Sequence, residues 1–365
     1  MRLLTLVTDA YGERGGIAKF NRDMINALCT HPAAREVVVL PRRISEPSHI
    51  GHIPANVRFV TEGARNKLSY LISLLRVLAD RERFDGVLCG HINLLPLAAL
   101  AARLERAPLL LVVHGIDAWK PTRSGLTNSL ARRTSRFVSV SAFTMSRFTE
   151  WAQLDRDRGT LIPNCIELSA YGEGPRREDL IERYSLQGKK VILTLGRLSA
   201  AERYKGIDEV LAILGELARY FPEIVYMIAG DGDDRPRLEA KAVELGIANR
   251  VVFTGYVPEG EKVDHYRLAD AFVMPGRGEG FGIVYLEALA CGIPVVGSKL
   301  DGSQEALLGG KLGEVVDPND PSEIVAGIKR ALERNRGVPQ ELEYFSVSRF
   351  NNRWQALLDM WPVAH

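Results

Sequence analysis

Residues 269–298 read ADAFVMPGRGEGFGIVYLEALACGIPVVGS and contain two apolar runs joined by a glycine-rich loop and a helical segment. The first run ends at Pro275 and the second begins at Ile293, and each is typical of a buried strand. The segment from about Ile283 to Cys291 is apolar enough to be a helix packed between the layers of a domain. Strand, helix and strand in this order predict a βαβ unit and therefore a parallel sheet.

The same alternation of apolar runs and amphipathic stretches extends over the whole chain. The predicted strands of the first series are LLTLVT (3–8), EVVVL (36–40), FDGVLCG (84–90), PLLLVVHG (108–115) and FVSVS (137–141). A second series begins after residue 185 with KKVILTLG, EIVYMIAGDG, RVVFTGYV, ADAFVMPG, IPVVGS and LGEVVD. We predict an α/β protein with two Rossmann-like, doubly wound parallel sheets facing across a cleft.

The length of 365 residues suggests two domains rather than one core. We place the N-terminal domain at 1–168 and the C-terminal domain at 169–345, joined by a polar linker around 166–176. Residues 346–365 include an amphipathic pattern and predict a C-terminal helix. This helix would either cap the second domain or cross back to the first, and we favour the crossing.

Composition excludes several classes of protein. The chain is 46% hydrophobic and 25% charged, as in ordinary soluble enzymes. The sequence contains no apolar run of about 18 residues, so we predict no transmembrane helix, and MRLLTLVTDA predicts a first strand rather than a signal peptide. The four cysteines lack metal-ligand or redox spacing, so we expect free thiols in a reducing cytoplasm.

Charge divides unevenly between the two halves. Residues 1–165 contain 23 Lys and Arg against 14 Asp and Glu, a net +9, whereas the remainder contains 24 against 31, a net −7. A basic first half favours an anionic partner such as phosphate, a membrane surface or an acidic substrate, although solvated surface arginines explain it equally well. No basic and aromatic stripe interleaves along the chain, so we expect no nucleic acid partner.

In open α/β sheets, ligands bind outside the carboxyl ends of the strands, so the loops that follow strands are the informative ones. In the loop and helix of 277–291, the backbone N–H groups of Phe281, Gly282 and Ile283 lie at a predicted helix N-terminus, which suits a phosphate. Glu287, one turn further, suits the hydroxyls of a ribose, and Glu279 suits a second hydroxyl-rich group. The alternative is that these acids only favour the dipole of their own helix.

Three further loops carry candidate residues. Arg197 and Lys205 flank one loop and are suited to clamp a diphosphate, unless they are surface charges. Gly15 and Gly16 allow close backbone approach at a helix start, or form a plain tight turn. His114 ends a strand in HGID, where it would bind a polar ligand or be structural.

The segment AGDGDD contains Asp231 and Asp233 in a D-x-D pattern that is compatible with magnesium. Glycine and aspartate are also common in any turn between a strand and a helix. We favour the turn and predict no metal site.

Together these segments resemble the retaining glycosyltransferases of family 4, which have the GT-B fold. The resemblance covers nearly the whole chain and is strongest over 190–317. Its most specific part is the E-x7-E pattern from Glu279 to Glu287, supported by GRLS…YKG, AGDGD, VVFTGYV and the N-terminal GGI and HG-x-D. One departure is the SAAERY insertion, which separates Arg197 from Lys205 by more residues than in the shortest family members.

The resemblance implies a nucleotide-diphosphate sugar donor that binds mainly to the second domain. It implies catalytic roles for His114, Glu279, Arg197 and Lys205, and donor binding by Gly15, Gly16, Arg197, Lys205, Tyr256, Val257, Glu279, Phe281, Gly282, Ile283 and Glu287. Tyr256 and Val257 would contact the base through their backbone. Members of the family typically need no metal and no cofactor beyond the donor substrate.

The implied reaction transfers a hexose, with retention of configuration, to a saccharide acceptor. UDP-sugar is the first choice of donor and GDP-mannose the second. The basic first domain, with Lys67, Arg76, Arg81 and Arg83 on a helix predicted at 66–83, suggests a lipid-linked acceptor and a peripheral enzyme at the inner face of the cytoplasmic membrane. The alternatives are a GT-B nucleotide-sugar epimerase or a binding protein without turnover; the dinucleotide fingerprint of an oxidoreductase is missing.

Overall fold

The computed structural model describes residues 1–12, 15–44, 52–80 and 82–361. Its contacts divide the chain into two compact units, each described by itself below. Unit 1 contains Met1–Cys165 and Val347–His365, and unit 2 contains Ile166–Ser346.

Unit 1 is built on a seven-stranded parallel sheet in the order β3-β2-β1-β4-β5-β6-β7. Its strands are β1 (Arg2–Val7), β2 (Glu36–Pro41), β3 (Val57–Phe59), β4 (Gly86–Cys89), β5 (Leu109–Val113), β6 (Arg136–Ser139) and β7 (Gly159–Leu161). Its first five helices are α1 (Gly16–Cys29), α2 (Lys67–Leu78), α3 (Leu95–Glu105), α4 (Gly125–Ala131) and α5 (Ala142–Ala152).

Unit 2 is built on a six-stranded parallel sheet in the order β10-β9-β8-β11-β12-β13. Its strands are β8 (Lys190–Leu195), β9 (Ile224–Ala229), β10 (Val251–Gly255), β11 (Ala271–Val273), β12 (Val295–Ser298) and β13 (Glu314–Val316). Its helices are α6 (Glu178–Arg183), α7 (Ile207–Tyr220), α8 (Arg235–Glu244), α9 (Lys262–Leu268), α10 (Ile283–Ala290), α11 (Ser303–Ala306) and α12 (Pro321–Glu333).

The central strands are continuous apolar runs because helices cover both faces of each sheet. All six residues of β1 and all six of β9 are buried, as expected for strands inside a doubly wound domain. The prediction of two such parallel sheets is confirmed. The sequence analysis missed β3 and β7, which have only three residues each, lie at the two edges of their sheet and are partly exposed. Such short strands carry too few apolar positions to form a pattern.

The strand order of unit 2 identifies where a ligand would bind. The chain builds outward from β8 to β9 and β10, and then returns to the other side of β8 to form β11, β12 and β13. The reversal lies between β8 and β11, and crevices outside the carboxyl ends of strands at such a switch point are the usual binding places. The loops that follow β8 and β11, together with the helix α10 after the second loop, contain seven of the eleven predicted donor-binding residues.

The last helix, α13 (Val347–Asp359), packs against α1 in unit 1. Phe350 and Trp354 are fully buried, and their rings lie 5.5 and 6.5 Å from the ring of Phe20 on α1. The apolar positions of this helix are therefore part of the core of unit 1. Within the described part of the chain, no helix combines the length and apolar character that crossing a bilayer requires.

Candidate functional site

The loops after β8 and β11 pack directly against each other. The backbone N–H of Arg277 donates a hydrogen bond of 2.7 Å to the carbonyl of Tyr204. Glycine permits this approach at two positions. A Cβ on Gly278 would lie 2.4 Å from the ring of Tyr204, and one on Gly206, where φ is +83°, would lie 2.3 Å from the carbonyl oxygen of Pro275. The two loops therefore form one continuous surface at the switch point.

The loop after β9 supports this surface. A Cβ on Gly230 would lie 1.9 Å from the carbonyl oxygen of Gly196, and Asp233 Oδ1 accepts a 3.0 Å hydrogen bond from the N–H of Ala200. Asp231 Oδ1 accepts from the next backbone N–H at 2.9 Å. Both aspartates thus make the contacts of a turn. No cluster of three potential metal ligands occurs among the residues that the structure describes.

Arg197 and Lys205 are brought together by a residue that the sequence analysis did not single out. Lys205 Nζ lies 2.7 Å from Glu202 Oε2, and Arg197 Nη2 donates to Glu202 Oε1. Lys205 also donates to the carbonyl of Arg197 at 3.3 Å. Burial raises the pKa of the Glu202 carboxyl, but hydrogen bonds and charges from the two cations outweigh it, so this pKa lies below its ordinary value. The signal was present in the sequence, because Glu202 lies in the SAAERY insertion.

Glu279 lies at the same surface, and its carboxyl is poorly solvated. Burial, the largest effect, raises its pKa to about 7; the charge of Lys205 opposes this rise, and the nearby acids Asp301 and Glu202 add to it. Its backbone N–H donates to Asp301 Oδ2 at 2.9 Å, which fixes the loop. A carboxyl with this pKa is about half protonated near neutral pH and exchanges a proton readily.

Helix α10 begins at this loop. Gly282 precedes it with φ of +86°, and a Cβ there would lie 2.3 Å from the ring of Tyr285. No side chain of the described residues caps the helix. Phe281 is buried and contacts the ring of Phe345 at 5.5 Å, so the loop is anchored just before Ile283. The first N–H groups of a helix carry partial positive charge and suit an anion.

Glu287 is 1% exposed and already has two partners. Lys262 Nζ lies 2.8 Å from its Oε1, and Tyr266 donates its hydroxyl to Oε2 at 2.7 Å. Lys262 and Tyr266 are spaced i, i+4 on α9 and so share one face of that helix. The sequence analysis missed both residues, although this spacing was visible. The role of Glu287 toward a ribose stays a prediction.

Tyr256 and Val257 directly follow β10, at the edge of the same sheet. Tyr256 is exposed and Val257 is half-buried. Their place at the carboxyl end of a strand is compatible with a contact to a base, and that role also stays a prediction.

In unit 1, His114 lies just after β5 and is almost completely buried. Its Nε2 bonds to the carbonyl oxygen of Gly90 at 2.8 Å, which requires the proton on Nε2 and leaves Nδ1 as an acceptor. Burial, reinforced by His91, lowers the pKa of His114 to about 3, so the ring is neutral. Its edge contacts the ring of Phe20 on α1 at 5.1 Å.

Asp117 lies beside this histidine pair. Its Oδ2 is 3.6 Å from His91 Nε2, and burial raises the pKa of its carboxyl to about 7. Gly15, with φ of +114°, immediately precedes α1, and a Cβ on it or on Gly16 would meet no atom of the described residues within 4 Å. The positive φ favours glycine at position 15, and none of the described residues fills the space beside either glycine. Because α1 carries Phe20, the start of this helix and His114 belong to one region of unit 1.

Comparisons with known proteins identify the family. The profile for glycosyl transferases group 1 matches residues 176–346, and the profile for glycosyltransferase family 4 matches 14–170. A GDP-mannose-dependent alpha-(1-6)-phosphatidylinositol monomannoside mannosyltransferase of Mycolicibacterium smegmatis is 34% identical over 251 residues, which span 64% of each chain. The relative of the same description from Mycobacterium tuberculosis is 28% identical over 358 residues, 92% of this chain and 91% of its own.

Solved structures agree on the fold. Anabaena HepE in complex with UDP and glucose matches with a TM-score of 0.76 and 22% identity, covering 98% of this chain and 99% of that one. The lipopolysaccharide outer core galactosyltransferase WaaB matches with a TM-score of 0.72 and 17% identity, over 98% and 99%. The predicted enzyme class, a hexosyltransferase, is confirmed by the named relatives. The chain therefore belongs to glycosyltransferase family 4 and has the GT-B fold.

Proposed function

We propose that this protein is a retaining hexosyltransferase that uses a nucleotide-diphosphate sugar, with GDP-mannose as the favoured donor, and a lipid-linked acceptor. The observation that carries the proposal is the surface of unit 2 where Arg197, Lys205 and Glu279 meet the start of α10. Sequence alone put UDP-sugar first. The two mycobacterial relatives described above are GDP-mannose-dependent by name, and this similarity supports placing GDP-mannose first.

The departing group in this reaction is a nucleoside diphosphate, on which negative charge develops as the glycosidic bond breaks. Arg197, with its planar fork of donors, and Lys205, as a point charge, would stabilise that charge together with the N–H groups at the start of α10. Fixed donors and cations of this kind are usually the largest contribution to catalysis. Glu287 would bind the ribose hydroxyls, which requires Lys262 or Tyr266 to share or release it.

The sugar itself would be held by Glu279 and His114. The neutral His114 ring offers Nδ1 as an acceptor for a sugar hydroxyl. We infer that the acceptor hydroxyl attacks from the face that the diphosphate leaves, through an oxocarbenium-like state, with no metal ion. Glu279 as a nucleophile is the competing mechanism, and a trapped glycosyl adduct on Glu279 would establish it instead.

A binding and turnover panel tests the donor. The full chain is titrated with GDP, UDP, ADP and their common sugars, with magnesium or with EDTA, and the melting temperature is recorded, because a ligand that binds only the folded state must raise it. We expect GDP and GDP-mannose to stabilise the wild type without magnesium, and Lys205→Ala to reduce the shift. Lys189→Ala is the matched control, since Lys189 is also paired with a carboxylate, that of Glu223, but just before β8 begins.

Each alternative gives a different result. A shift with UDP and not GDP would restore the first sequence-based choice of donor. Release of an epimerised nucleotide sugar would identify an epimerase, and binding without sugar transfer to any lipid or saccharide acceptor would identify a binding protein. Stabilisation by NAD and by none of the nucleotides would contradict the glycosyl-transfer proposal altogether.

The proposed lipid acceptor is supported by one face of unit 1. On α2, Leu68, Ile72 and Leu75 follow helical spacing and are exposed, with Lys67 and Arg76 on the same solvent side. The neighbouring helix α3 adds two more exposed leucines, at 100 and 104. Exposed apolar residues on a basic helix are typical of binding in the interface of an anionic membrane. Arg83 is also exposed, α2 ends at Leu78 rather than at 83, and Arg81 lies outside the described residues.

Liposome sedimentation tests this part of the proposal. The wild type should sediment with vesicles that contain anionic lipid at low salt, and less so at high salt. Leu68→Ser combined with Leu75→Ser should release it. Val243→Ser in unit 2 is the control, because Val243 is equally exposed (68% against 66% for Leu68) but lies in the acidic half. Equal sedimentation of the double variant and the wild type would contradict a role for α2.

A further inference from the structure

The loop after β8 contains an acid between the two cations that are proposed to hold the diphosphate. Glu202 is 14% exposed and contacts Lys205, which is 13% exposed, through one carboxylate oxygen and Arg197 through the other. Both carboxylate oxygens are therefore used, each by a different cation. This is the arrangement that two phosphate oxygens of a diphosphate would adopt between the same pair.

A carboxylate and a diphosphate compete for the same donors. The ammonium of Lys205 has three N–H groups, of which one bonds to Glu202 and another to the carbonyl of Arg197. A diphosphate entering beside Glu202 would also approach Glu279 and Asp301, and the charge of Asp301 already helps to raise the pKa of Glu279. Like charges in such a poorly solvated place repel strongly. The diphosphate of the donor and the carboxylate of Glu202 therefore compete for Arg197 and Lys205, and binding of one displaces the other.

The chain around Glu202 is built so that this residue can move. Residues 200–205 form two short 3-10 turns joined at Glu202, whose φ of −119° and ψ of 26° are not helical. Ala201 and Arg203, on either side, are exposed. The backbone on either side is held by the hydrogen bond between Ala200 and Asp233, by the 2.8 Å ion pair of Arg203 with Asp234 and by the contact of Tyr204 with the loop after β11. Rotation about the side-chain bonds of Glu202 would free its carboxylate and leave these three contacts in place.

We propose that Glu202 is an intramolecular substitute for the diphosphate: it holds Arg197 and Lys205 in position while the site is empty, and the donor displaces it. The inference rests on the proposed function of unit 2 and adds a positioning residue to it. It assigns a role to the SAAERY insertion. The same residue would assist release of the nucleoside diphosphate product, because its return re-pairs both cations.

Removing the charge should therefore tighten binding rather than weaken it. We expect Glu202→Gln to lower the Kd for GDP and for inorganic pyrophosphate about tenfold, since the competitor for the cations is lost. Product inhibition by GDP should strengthen by the same factor, and the KM for the donor should fall without a rise in kcat. Glu202→Asp keeps the charge on a shorter side chain, so its Kd for GDP should lie between that of Glu202→Gln and that of the wild type.

The experiment is isothermal titration of the full chain with GDP, UDP and pyrophosphate. Glu314→Gln is the matched control: its side chain is 16% exposed and lies 2.7 and 3.8 Å from Arg330 and Arg334, but at the start of β13. The melting temperature of each unliganded variant verifies folding. In the wild type alone, amide hydrogen exchange over 200–205 should accelerate when GDP is added, which tests displacement without any substitution.

The outcomes separate the two proposals. Tighter binding by Glu202→Gln, with an unchanged Glu314→Gln control and faster exchange over 200–205, supports displacement. If the wild type binds GDP or UDP but Glu202→Gln binds it equally or more weakly, or if 200–205 becomes protected, displacement is wrong and the proposed function stands. If no protein binds any of the three probes, the proposed function fails, and displacement fails with it.

Discussion

At the residue scale, the two glutamates of the E-x7-E pattern differ in how their charge is balanced. Glu287 lies between Lys262 and Tyr266, two donors within 2.8 Å. The pKa of Glu279, in contrast, is raised to about 7, chiefly by burial. Glu287 thus contacts a lysine ammonium and a tyrosine hydroxyl, whereas the carboxyl of Glu279 is close to changing its protonation state at neutral pH.

Substitution of Glu287 should affect both stability and nucleotide binding. Glu287→Gln removes the charge of the nearer and more buried of two carboxylate partners of Lys262, whose ammonium also lies 3.3 Å from Glu259, so we expect the free energy of unfolding to fall by about 1–3 kcal/mol. The melting shift with GDP should also be lost. Adding Lys262→Met should restore stability but not GDP binding, which separates the two effects. Full GDP binding by the single variant would exclude Glu287 from the donor site.

The raised pKa of Glu279 predicts a dependence of stability on pH. The folded chain keeps this proton up to about pH 7, whereas the unfolded chain releases it near the ordinary value of 4.5. Between these values the folded state binds more protons, so this residue makes stability fall as pH rises from about 4.5 to 7. In Glu279→Gln, the free energy of unfolding by urea should fall less over this range. Parallel pH curves for variant and wild type would contradict the raised pKa.

At the scale of elements, the candidate site depends on loops that approach each other through glycines. The clearest case is Gly206, which precedes α7 in a left-handed conformation against the carbonyl of Pro275. The strands β8 and β11 are neighbours in the sheet, so their following loops must share one space. A side chain at this position would separate the loop after β8, which carries Arg197 and Lys205, from the loop after β11, which carries Glu279.

Two glycines at the same helix give a direct test. Gly206→Ala should destabilise unit 2 by about 2–4 kcal/mol, from the left-handed backbone and the contact with Pro275. Gly215→Ala is the matched control: Gly215 is exposed inside α7, and its Cβ would approach nothing closer than 3.9 Å. It should instead stabilise by about 0.5–1 kcal/mol. Equal melting temperatures of the two variants would contradict this account of the loop contact.

At the scale of the whole molecule, the two units have opposite charge. Unit 1, which gains α13 from the C-terminus, contains 25 Lys and Arg against 15 Asp and Glu, a net +10; unit 2 contains 22 against 30, a net −8. The basic unit carries the exposed leucines of α2 and α3, and the acidic unit carries the proposed diphosphate site with Arg197 and Lys205. This division fits an enzyme whose acceptor lies at an anionic surface.

The C-terminal helix should stabilise unit 1 specifically. Trp354 is fully buried and contacts Phe20 and Phe350, so Trp354→Ala should cost about 3–5 kcal/mol. Amide hydrogen exchange should accelerate in 1–165 and stay unchanged in 166–346. Met360→Ala, at a residue that is 72% exposed, should have no measurable effect. Faster exchange confined to unit 2 would contradict the assignment of α13 to unit 1.

The sequence by itself determined the parallel sheets, because buried strands and their crossover helices need apolar runs of different period, and these are local properties. It also determined the family, because the E-x7-E pattern follows the segments GRLS…YKG, AGDGD and VVFTGYV in the order that the family has. The short edge strands β3 and β7 could not be predicted, since three half-exposed residues carry no period.

Only the tertiary structure decided which charges pair. Glu202 lies between two cations of its own loop, Glu287 bonds to a lysine 25 positions earlier, and His114 bonds to the carbonyl of Gly90, just after the neighbouring strand β4. Such pairs depend on how loops from separate strands meet at one edge of a sheet. Burial then sets the pKa of Glu279, because the cost of removing a charge from water depends on all surrounding elements and not on the local sequence.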